Sequence, residues 1–513
     1  MFNNIFRTEE HTLKKRYFYK LSSNLWGLLA GLVTMVIIPR ALGPVAYGDF
    51  NFLTNVFNQV VGFLDMGTST GFYAKLSRRQ KEPKLVWFYL NFVGIVVIII
   101  GLFMGITYFT KLYKILWPGQ LIFFVGLAAG WGILTWVSQI FSQMADAYGL
   151  TVPAEIGKVM QRALTVILVF SLFMLGGLNL ANYFYLQFLL LAVLIGIFGL
   201  IIYIKQPHFL VNRGLDALTT RKYIKEFYEY CHPLFLYALV GMLVGIMDRW
   251  ILQFFGGSIQ QGFFGLSYNL GVFCFLFTGA MTPLLMREFS IAYGKSDLPK
   301  MAVMFRRYIP VLYSIAAYLA CFVAVQAVKV VQVFGGKNYA AAVVPVAIMA
   351  FYPIHQTYGQ LSGSVFLATG QTVLYRNIGI IFMVLGLPLT YFLIAPAALG
   401  GIGAGALGLA LKMVILQFVA VNTQLYFNAK LLKLSFLKYL GHQLLSLLFF
   451  LVLAGLAALG IDQFKLNPVS SLIISGILYS GSAILIIYLF PQIVGLKRDD
   501  FSFVMKYLAG DKI

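Results

Sequence analysis

Residues 39–79 read PRALGPVAYGDFNFLTNVFNQVVGFLDMGTSTGFYAKLSRR, and this stretch decides the fold. A turn rich in Gly and Pro at 42–48 opens a long apolar segment, which ends in the basic text KLSRR at 75–79. The part from Asp49 to Phe72 is longer than the roughly 20 residues that a membrane helix needs. The stretch therefore predicts a membrane-spanning helix with a tight turn at one end and a basic loop at the other.

Polar and small residues recur along one face of this predicted helix, at alternating steps of four and three residues. They are Asn51, Asn55, Asn58, Gly62, Asp65 and Ser69. Unpaired amides and carboxyls are costly in hydrocarbon, so this face should meet protein or a water-filled cavity. Other spans in both halves carry similar stripes, and the one in the first span includes Asn24. Together the stripes predict a shared central chamber, although the glycines among them also fit close helix packing.

Composition places the chain in the membrane. Of its residues 60% are hydrophobic and 11% are charged, whereas soluble domains average about 25% charged residues. The net charge of +21 does not indicate nucleic-acid binding, because the basic residues lie in short loops between apolar runs. The polar first twenty residues and the absence of a clear cleavage site predict an uncleaved first span.

Fourteen apolar runs are each long enough to cross a bilayer. They lie near 18–38, 50–72, 85–107, 120–141, 159–176, 182–204, 233–254, 262–285, 308–328, 340–367, 376–395, 401–423, 440–460 and 469–490. Of the 38 Lys and Arg residues, 30 fall in segments on the side of the N-terminus, six on the other side and two within spans. This asymmetry predicts a multi-pass protein with both termini in the cytoplasm.

The chain contains a faint internal repeat. The text LGP…GDF at 42–50 resembles FGG…GFF at 255–264, at an offset of roughly 213 residues. Six spans separate the copies, which predicts two parallel repeats, although short Gly turns commonly join membrane helices. The predicted domains are a first lobe at 1–204, a second lobe at 205–423, and two helices with a cytoplasmic tail at 424–513.

Two cationic residues lie inside predicted spans. Lys412 is about eleven residues from either end of its span, where a charge costs roughly 2.5 to 3.5 kcal/mol. It would contact an anion in a cavity or pair with an intramembrane acid. Arg249 is nearer the outer end, so a functional role competes with snorkelling to the headgroups. Its neighbour Asp248 points about 100° away around the helix.

Asp65 and His355 are the remaining titratable candidates. Asp65 lies near the predicted inner interface, where the free-energy cost of a carboxylate is lower than at the membrane centre, and it could line the cavity there. His355 fits a proton relay or, more commonly, a hydrogen-bonded packing residue. The sequence contains no Walker A text, no Cys/His metal cluster and no nucleophile elbow in a plausible setting, so we predict a non-enzyme without metal or cofactor. Coupling to H⁺ or Na⁺ stays open.

The pattern R-x-LG-P-x-x-YG followed by D-x-G-x-x-x-G, within residues 17–85, resembles Wzx-type flippases. These form the polysaccharide branch of the multidrug/oligosaccharidyl-lipid/polysaccharide (MOP) exporter superfamily. The text DRW at 248–250 and LATGQ at 367–371 resemble further elements of that family. The aromatic residue that usually follows the glycine of span eight is missing, which leaves Tyr268 as its substitute.

The resemblance implies an all-α polytopic membrane protein, with two six-helix lobes in a V-shaped MOP/MATE-like fold plus two C-terminal helices. It implies alternating access and a polyprenyl-diphosphate-linked oligosaccharide, moved from the cytoplasmic to the outer leaflet for surface polysaccharide biosynthesis. The setting would be a bacterial or archaeal cytoplasmic membrane, with membrane lipids, a polysaccharide polymerase and other pathway proteins as partners. Arg249 and Lys412 would receive the diphosphate. The predicted cavity residues are Asn24, Asn55, Asn58, Asp65, Asp248, Arg249, Tyr268, His355 and Lys412.

Three alternatives stay open. A drug or cation antiporter of the MATE type normally has twelve spans, so the extra pair and the basic candidates argue against it. A lipid II flippase of the MurJ type shares the count of fourteen. A membrane scaffold without transport would leave Lys412 and the Asn-bearing stripe unexplained.

Overall fold

A computed structural model of the chain describes residues 13–206, 216–232, 235–273 and 276–496. Within these ranges the regular structure is helical and no strand is present. The basic and aromatic tail at 497–513, for which the sequence suggests an interfacial helix, lies outside the described residues.

Nine helices cover the described residues up to the middle of the chain. They are α1 (Leu13–Asp65), α2 (Thr68–Arg78), α3 (Pro83–Phe109), α4 (Tyr113–Leu116), α5 (Ile122–Ala147), α6 (Thr151–Met174), α7 (Leu180–Lys205), α8 (Ala217–Cys231) and α9 (Phe235–Phe273).

The rest of the described chain holds nine further α-helices and short 3-10 turns. The helices are α10 (Leu276–Gly294), α11 (Leu298–Val325), α12 (Ala327–Phe334), α13 (Val343–Met349), α14 (Tyr352–Ala368), α15 (Thr372–Ile394), α16 (Gly405–Leu431), α17 (Phe436–Asp462) and α18 (Pro468–Leu489).

The chain divides into two compact units, Met1–Gly262 and Phe263–Ile513. Each has its own apolar core. The core of the first unit contains Phe52, Tyr89 and Phe184, and that of the second contains Phe305, Tyr358 and Tyr479. The division falls within α9 and does not coincide with the predicted lobe boundaries at 204 and 423, which stay predictions.

Twelve helical segments within the described ranges are long and apolar enough to cross a membrane. Two of them, Ser22–Asp65 and Phe235–Val272, are 44 and 38 residues long, and each overlaps two of the predicted spans. The predicted span at 262–285 extends beyond the second segment into α10. The predicted multi-pass helical architecture is therefore confirmed, whereas the count of fourteen separate helices is not. Leu102 and Leu448 are each 62% exposed on such helices, a large apolar surface that suits lipid rather than water.

A glycine bends each of the two longest helices. Gly43 in α1 has φ 70° and ψ 173°, and Gly257 in α9 has φ 67° and ψ −173°. Positive φ is easy only for glycine, and no continuous helix accommodates these angles. Gly43 aligns with Gly257 at an offset of 214 residues, one more than the offset that aligns LGP with FGG, so the two kinks lie within one residue of equivalent places in the faint repeat. We call these two residues the kink glycines.

The second predicted span ends earlier than its apolar text. Helix α1 stops at Asp65, because Met66 and Gly67 both have positive φ, of 45° and 78°. The chain resumes as α2 at Thr68. Ser69 therefore belongs to a different helix from the rest of the polar stripe, and the prediction of one continuous helix over 50–72 is wrong at this end.

Candidate functional site

The segments that follow the two kink glycines cross within the first unit. A Cβ atom added to Gly48 would lie far inside the van der Waals radius of the Ser258 carbonyl oxygen. A Cβ atom on Gly262 would overlap the Pro44 carbonyl oxygen in the same way. At an offset of 214 residues, Gly48 aligns with Gly262 and Pro44 aligns with Ser258, so the contact is reciprocal. We call this contact the glycine crossing.

A polar network lies beside the glycine crossing. The Asp49 carboxylate accepts hydrogen bonds from Gln120 Nε2, at 2.6 Å, and from the Ser258 hydroxyl. Gln253 Nε2 donates to Ser258 Oγ at 3.2 Å and to the Pro118 carbonyl at 3.1 Å. The sequence pattern does not reveal this network, although Asp49 lies inside the repeat text at 42–50. The network fixes the first kink against the second through side chains as well as backbone.

Arg249 is about two helical turns before the second kink and is only 6% exposed. Its Nη1 donates to Gln261 Oε1 at 3.2 Å, and Gln261 Nε2 donates back to the Arg249 carbonyl at 2.5 Å. Gln261 is fully buried. Arg249 therefore does not snorkel to a surface, because it bridges the kink from inside the protein. Asp248 is half-buried on the same helix.

The asparagines of α1 differ in exposure. Asn24 and Asn58 are exposed, and the structure gives neither a hydrogen bond to another described residue. Asn55 is half-buried and its Oδ1 is buried without a hydrogen-bond partner, while Asn51 donates to the Tyr47 carbonyl of its own helix at 2.7 Å. Asn24 and Asn58 thus have exposed amide groups, and Asn55 has an unpaired buried oxygen, whereas Asn51 bonds within its own helix. The cavity role of the stripe stays a prediction.

Asp65 organises the break between α1 and α2. Its carboxylate accepts from the Ser69 backbone N–H at 3.0 Å and from Ser69 Oγ at 2.9 Å. It also accepts from Thr68 Oγ1 at 3.1 Å, Tyr89 OH at 3.3 Å and Trp136 Nε1 at 3.1 Å. Asp65 therefore caps α2 and ties it to α3 and α5. This role is structural, and the cavity role that the sequence considered for Asp65 is untested.

An aromatic cavity of about 480 Å³ lies next to Asp65 in the first unit. Its walls come from the start of α2, from α3, from α8 and from the first residue of α9. They include Thr68, Tyr89, Phe92, Phe227 and His232. Thr68 and Tyr89 also bind Asp65, so the capped turn forms one wall of this cavity.

Helix α8 packs on the basic end of α2, outside the membrane-spanning segments. Glu226 of α8 accepts from Lys75 Nζ at 2.9 Å and from Arg79 Nη1 at 3.2 Å. Partial burial alone would raise the pKa of Glu226, but hydrogen bonds and charges from Lys75 and Arg79 outweigh burial and lower it. From its sequence this segment is expected to be a basic loop, and its helix is not predicted.

We expect Glu226→Gln to lower the free energy of unfolding by about 1 kcal/mol at pH 7, because two partly exposed ion pairs are lost. Since the pKa of Glu226 is lowered by folding, its contribution is present above the ordinary value of 4.5 and disappears as the pH falls through the lowered value. Melting of wild type and variant in detergent from pH 7 to pH 3 measures this, and the two curves should converge at the acid end. Glu229→Gln is the control, since Glu229 is 64% exposed. A constant gap at all pH values would contradict the assignment.

The other three predicted residues belong to the second unit. Tyr268 is half-buried in α9, with its ring centroid 6.2 Å from that of Phe264 and 6.3 Å from that of Tyr352. His355 of α14 is 5% exposed, packs edge-on against Phe418, and has a buried Nδ1 without a hydrogen-bond partner. The surroundings of His355 are those of a packing residue, although its unpaired nitrogen keeps the relay hypothesis open.

Lys412 of α16 is 6% exposed and packs across α15 at Gly386. A Cβ atom on Gly386 would lie 2.8 Å from Lys412 Cε and 3.1 Å from Nζ, so the missing side chain makes room for the lysine. Amide pairs lie on neighbouring helices of this unit, such as Gln417 with Gln356 at 2.7 Å and Asn422 with Gln443 at 3.0 Å. Lys412 stands out in the sequence, whereas these amides do not.

Six of the nine predicted residues thus belong to the first unit and three belong to the second. Asn55, Asn58 and Asp65 lie along α1, while Asp248 and Arg249 are consecutive in α9. His355 and Lys412 lie on α14 and α16, two helices that pack against each other. The predicted shared chamber stays a prediction. Within the described residues there is no group of three or more His, Cys, Asp or Glu side chains that could hold a metal ion.

Residues 13–286 match a protein family described as "Polysaccharide biosynthesis protein". This range covers more than half of the chain and includes both kink glycines. No curated protein matches the sequence.

Solved structures of transporters share the fold. The lipid II flippase MurJ in an inward closed conformation superimposes with a TM-score of 0.66 at 12% identity, covering 92% of this chain and 99% of MurJ. An inward-facing MATE family multidrug transporter of the MOP superfamily gives a TM-score of 0.63 at 16% identity, covering 80% of this chain and 96% of that one. A MOP superfamily transporter from Pyrococcus furiosus gives 0.53 at 15% identity, with 84% and 97% covered. At these identities the similarity is one of fold.

Proposed function

We propose, since the chain belongs to the polysaccharide biosynthesis protein family, that it moves a polyprenyl-diphosphate-linked oligosaccharide from the cytoplasmic to the outer leaflet by alternating access. The family match over residues 13–286 is the observation that carries this proposal. The MOP-type transporter fold supports movement of a cargo across the membrane. The distribution of Lys and Arg supports a cytoplasmic membrane with both termini inside.

The chemistry of the cargo fits the exposed polar groups of α1. A sugar with a diphosphate cannot enter hydrocarbon unaided, whereas an isoprenoid tail can stay in the lipid beside the protein. Asn24 and Asn58 are exposed on a helix that is apolar enough to cross a membrane, and their amides can bond sugar hydroxyls as donors and as acceptors. In this proposal they contact the glycan directly.

The buried cations would act on the diphosphate after a rearrangement. Arg249 is bonded to Gln261, and Lys412 is packed against Gly386, so each must leave its present contact to reach an anion. A guanidinium can bind a diphosphate through two parallel hydrogen bonds, and an ammonium through its point charge. Alternating access supplies the change of conformation that this step needs.

A lipid II flippase is the second candidate. The similarity to MurJ extends over 92% of this chain, against 80% for the inward-facing MATE transporter. Lipid II is itself a glycan on a polyprenyl diphosphate, so both candidates require the same recognition chemistry. They differ in the sugars and in the pathway that fails without the protein.

We expect a depletion strain to accumulate the glycan lipid in the cytoplasmic leaflet. Leaflet-specific labelling of radiolabelled glycan lipids measures this, with separate quantification of lipid II and of surface-polysaccharide precursors. Accumulation of lipid II alone would replace the first candidate by the second, and unchanged leaflet distributions of both would reject flipping. Collapsing the H⁺ or the Na⁺ gradient in the same assay identifies the driving ion.

The double variant Asn24→Ala/Asn58→Ala should flip at least about tenfold more slowly, because two sugar hydrogen bonds of about 1 kcal/mol each are lost. Its stability should not change, since neither amide bonds to a described residue. Asn91→Ala is the control, because Asn91 is also exposed but lies on α3 outside the stripe. Equal rates in all three proteins would remove the two asparagines from the cargo site.

A further inference from the structure

A basic pocket lies in the second unit, away from the residues predicted to bind cargo. It has a volume of about 500 Å³. Its walls come from the first half of α11, the loop between α16 and α17, and the first turns of α17. The lining residues are Arg306, Pro310, Lys433, Leu434, Ser435, Lys438, Tyr439 and His442. We call it the α11–α17 pocket.

The charge of the pocket is one-sided. Arg306, Lys433 and Lys438 are cationic, and no carboxylate is among the lining residues. None of the three makes an ion pair with a residue that the structure describes. Three like charges around one cavity repel each other unless an anion lies between them. The pocket therefore lacks a counter-charge within this part of the chain.

The N-terminus of α17 adds to this positive field. Helix α17 has 27 residues, its N-cap Ser435 makes no side-chain capping hydrogen bond, and its first turn contains no acidic residue. The first N–H groups of a helix have no partner inside the helix, and the helix dipole makes this end favourable for anions.

A buried hydroxyl supplies a separate indication of a ligand. Tyr439 is only 7% exposed, lines the pocket, and has a hydroxyl that is buried without a hydrogen-bond partner. Its ring is fixed edge-on against Phe305, with centroids 5.4 Å apart. A buried hydroxyl without a partner costs free energy, which a ligand oxygen would recover.

We propose that the α11–α17 pocket binds a phosphate group, with the cations and the α17 N-terminus neutralising it and the Tyr439 hydroxyl donating to one of its oxygens. Arg306 and Lys438 lie in the first halves of α11 and α17, two helices long enough to cross a membrane, and basic groups near the ends of such helices attract anionic headgroups. The phosphodiester of an anionic lipid and a free phosphate anion share this chemistry. This site does not depend on the proposed glycan cargo.

Binding is measured on the full-length protein purified in detergent. It is titrated with short-chain phosphatidylglycerol, with short-chain phosphatidylcholine and with inorganic phosphate, and each titration is followed by native mass spectrometry and by the melting temperature. If only phosphatidylglycerol raises the melting temperature, the ligand of the pocket is a lipid headgroup. If inorganic phosphate also raises it at low millimolar concentration, the ligand is a free phosphate anion. Equal stabilisation by phosphatidylcholine, or no binding of any of the three, would overturn the proposal.

The triple variant Arg306→Gln/Lys433→Gln/Lys438→Gln should bind at least about thirtyfold more weakly, from three lost headgroup contacts. The matched control Lys295→Gln/Lys300→Gln/Lys430→Gln removes the same charge from exposed lysines outside the pocket and should bind like wild type. Tyr439→Phe should bind about fivefold more weakly while melting no lower than wild type without ligand, because only an unpaired hydroxyl is removed. Equal binding by the two triple variants would refute the site.

Discussion

Gly48→Ala is expected to lower the free energy of unfolding by about 3 kcal/mol or more, one of the two largest effects that we predict. The added methyl group would overlap the Ser258 carbonyl oxygen, which belongs to backbone and cannot rotate away as a side chain would. The two crossing segments would have to separate, and the hydrogen bond between Asp49 and Ser258 would be lost with them. Because the contact is reciprocal, Gly262→Ala should cause a similar loss through Pro44.

Thermal melting and folded yield of the purified variants in detergent measure this prediction. Gly31 and Gly62 lie on the same helix as Gly48, but a Cβ atom there would have no neighbour within 4 Å. Alanine at either position should leave melting unchanged or raise it slightly, because alanine favours the helical conformation. If Gly48→Ala melted like these two controls, the two segments would not be in close contact in the folded protein.

Asp65→Ala is expected to lower the free energy of unfolding by about 3 to 5 kcal/mol. The substitution leaves buried donors without an acceptor, and each unpaired buried group costs about 1 to 3 kcal/mol. Trp136 Nε1 loses its acceptor, and so do the Ser69 backbone N–H and the Ser69 hydroxyl. Trp136 is 4% exposed and Ser69 is 3% exposed. Helix α2 also loses its cap, so the aromatic cavity beside it should widen or collapse.

Asp65→Asn separates charge from acceptor geometry. Asparagine keeps one acceptor oxygen and has an NH2 group in place of the other, so we expect roughly half the loss of stability, measured by the same melting assay. Asp216→Ala serves as the surface control: Asp216 is 53% exposed and accepts from Lys84 at 3.3 Å, so the melting temperature of this variant should stay close to that of wild type. A melting temperature of Asp65→Ala equal to that of Asp216→Ala would show that Asp65 does not hold α2 in place.

The family resemblance, read from the text around residues 17–85, is confirmed by the family match over residues 13–286. The MOP-type helical fold is confirmed by the similarity to MurJ and MATE transporters. The helical membrane fold could be predicted from the sequence because the length and apolar composition of a segment identify a membrane helix, and both are local properties. The pairing of the two glycine turns was visible as well, since positive φ restricts the choice of residue to glycine.

The contacts of individual polar residues were not accessible in this way. Arg249 and Lys412 are unusual as charged residues within apolar spans, and the sequence shows this. It does not show that Arg249 donates a hydrogen bond to Gln261, or that Lys412 packs against Gly386. Helix α8 was hidden in a basic loop, because its apolar residues are too few to resemble a span. The Asp49 network joins residues up to 209 positions apart, which no periodicity in the chain records.

By itself, the sequence determined that this chain is a helical membrane protein, where its apolar helices run and where glycine bends them, because hydrophobicity and backbone freedom belong to each residue alone. Only the tertiary structure decided which polar groups satisfy each other, turning Asp65 into a helix cap while leaving Asn24, Asn58 and the Tyr439 hydroxyl unpaired. The physical reason is that a hydrogen bond or an ion pair depends on the distance between two groups, and folding sets that distance between residues far apart in the chain.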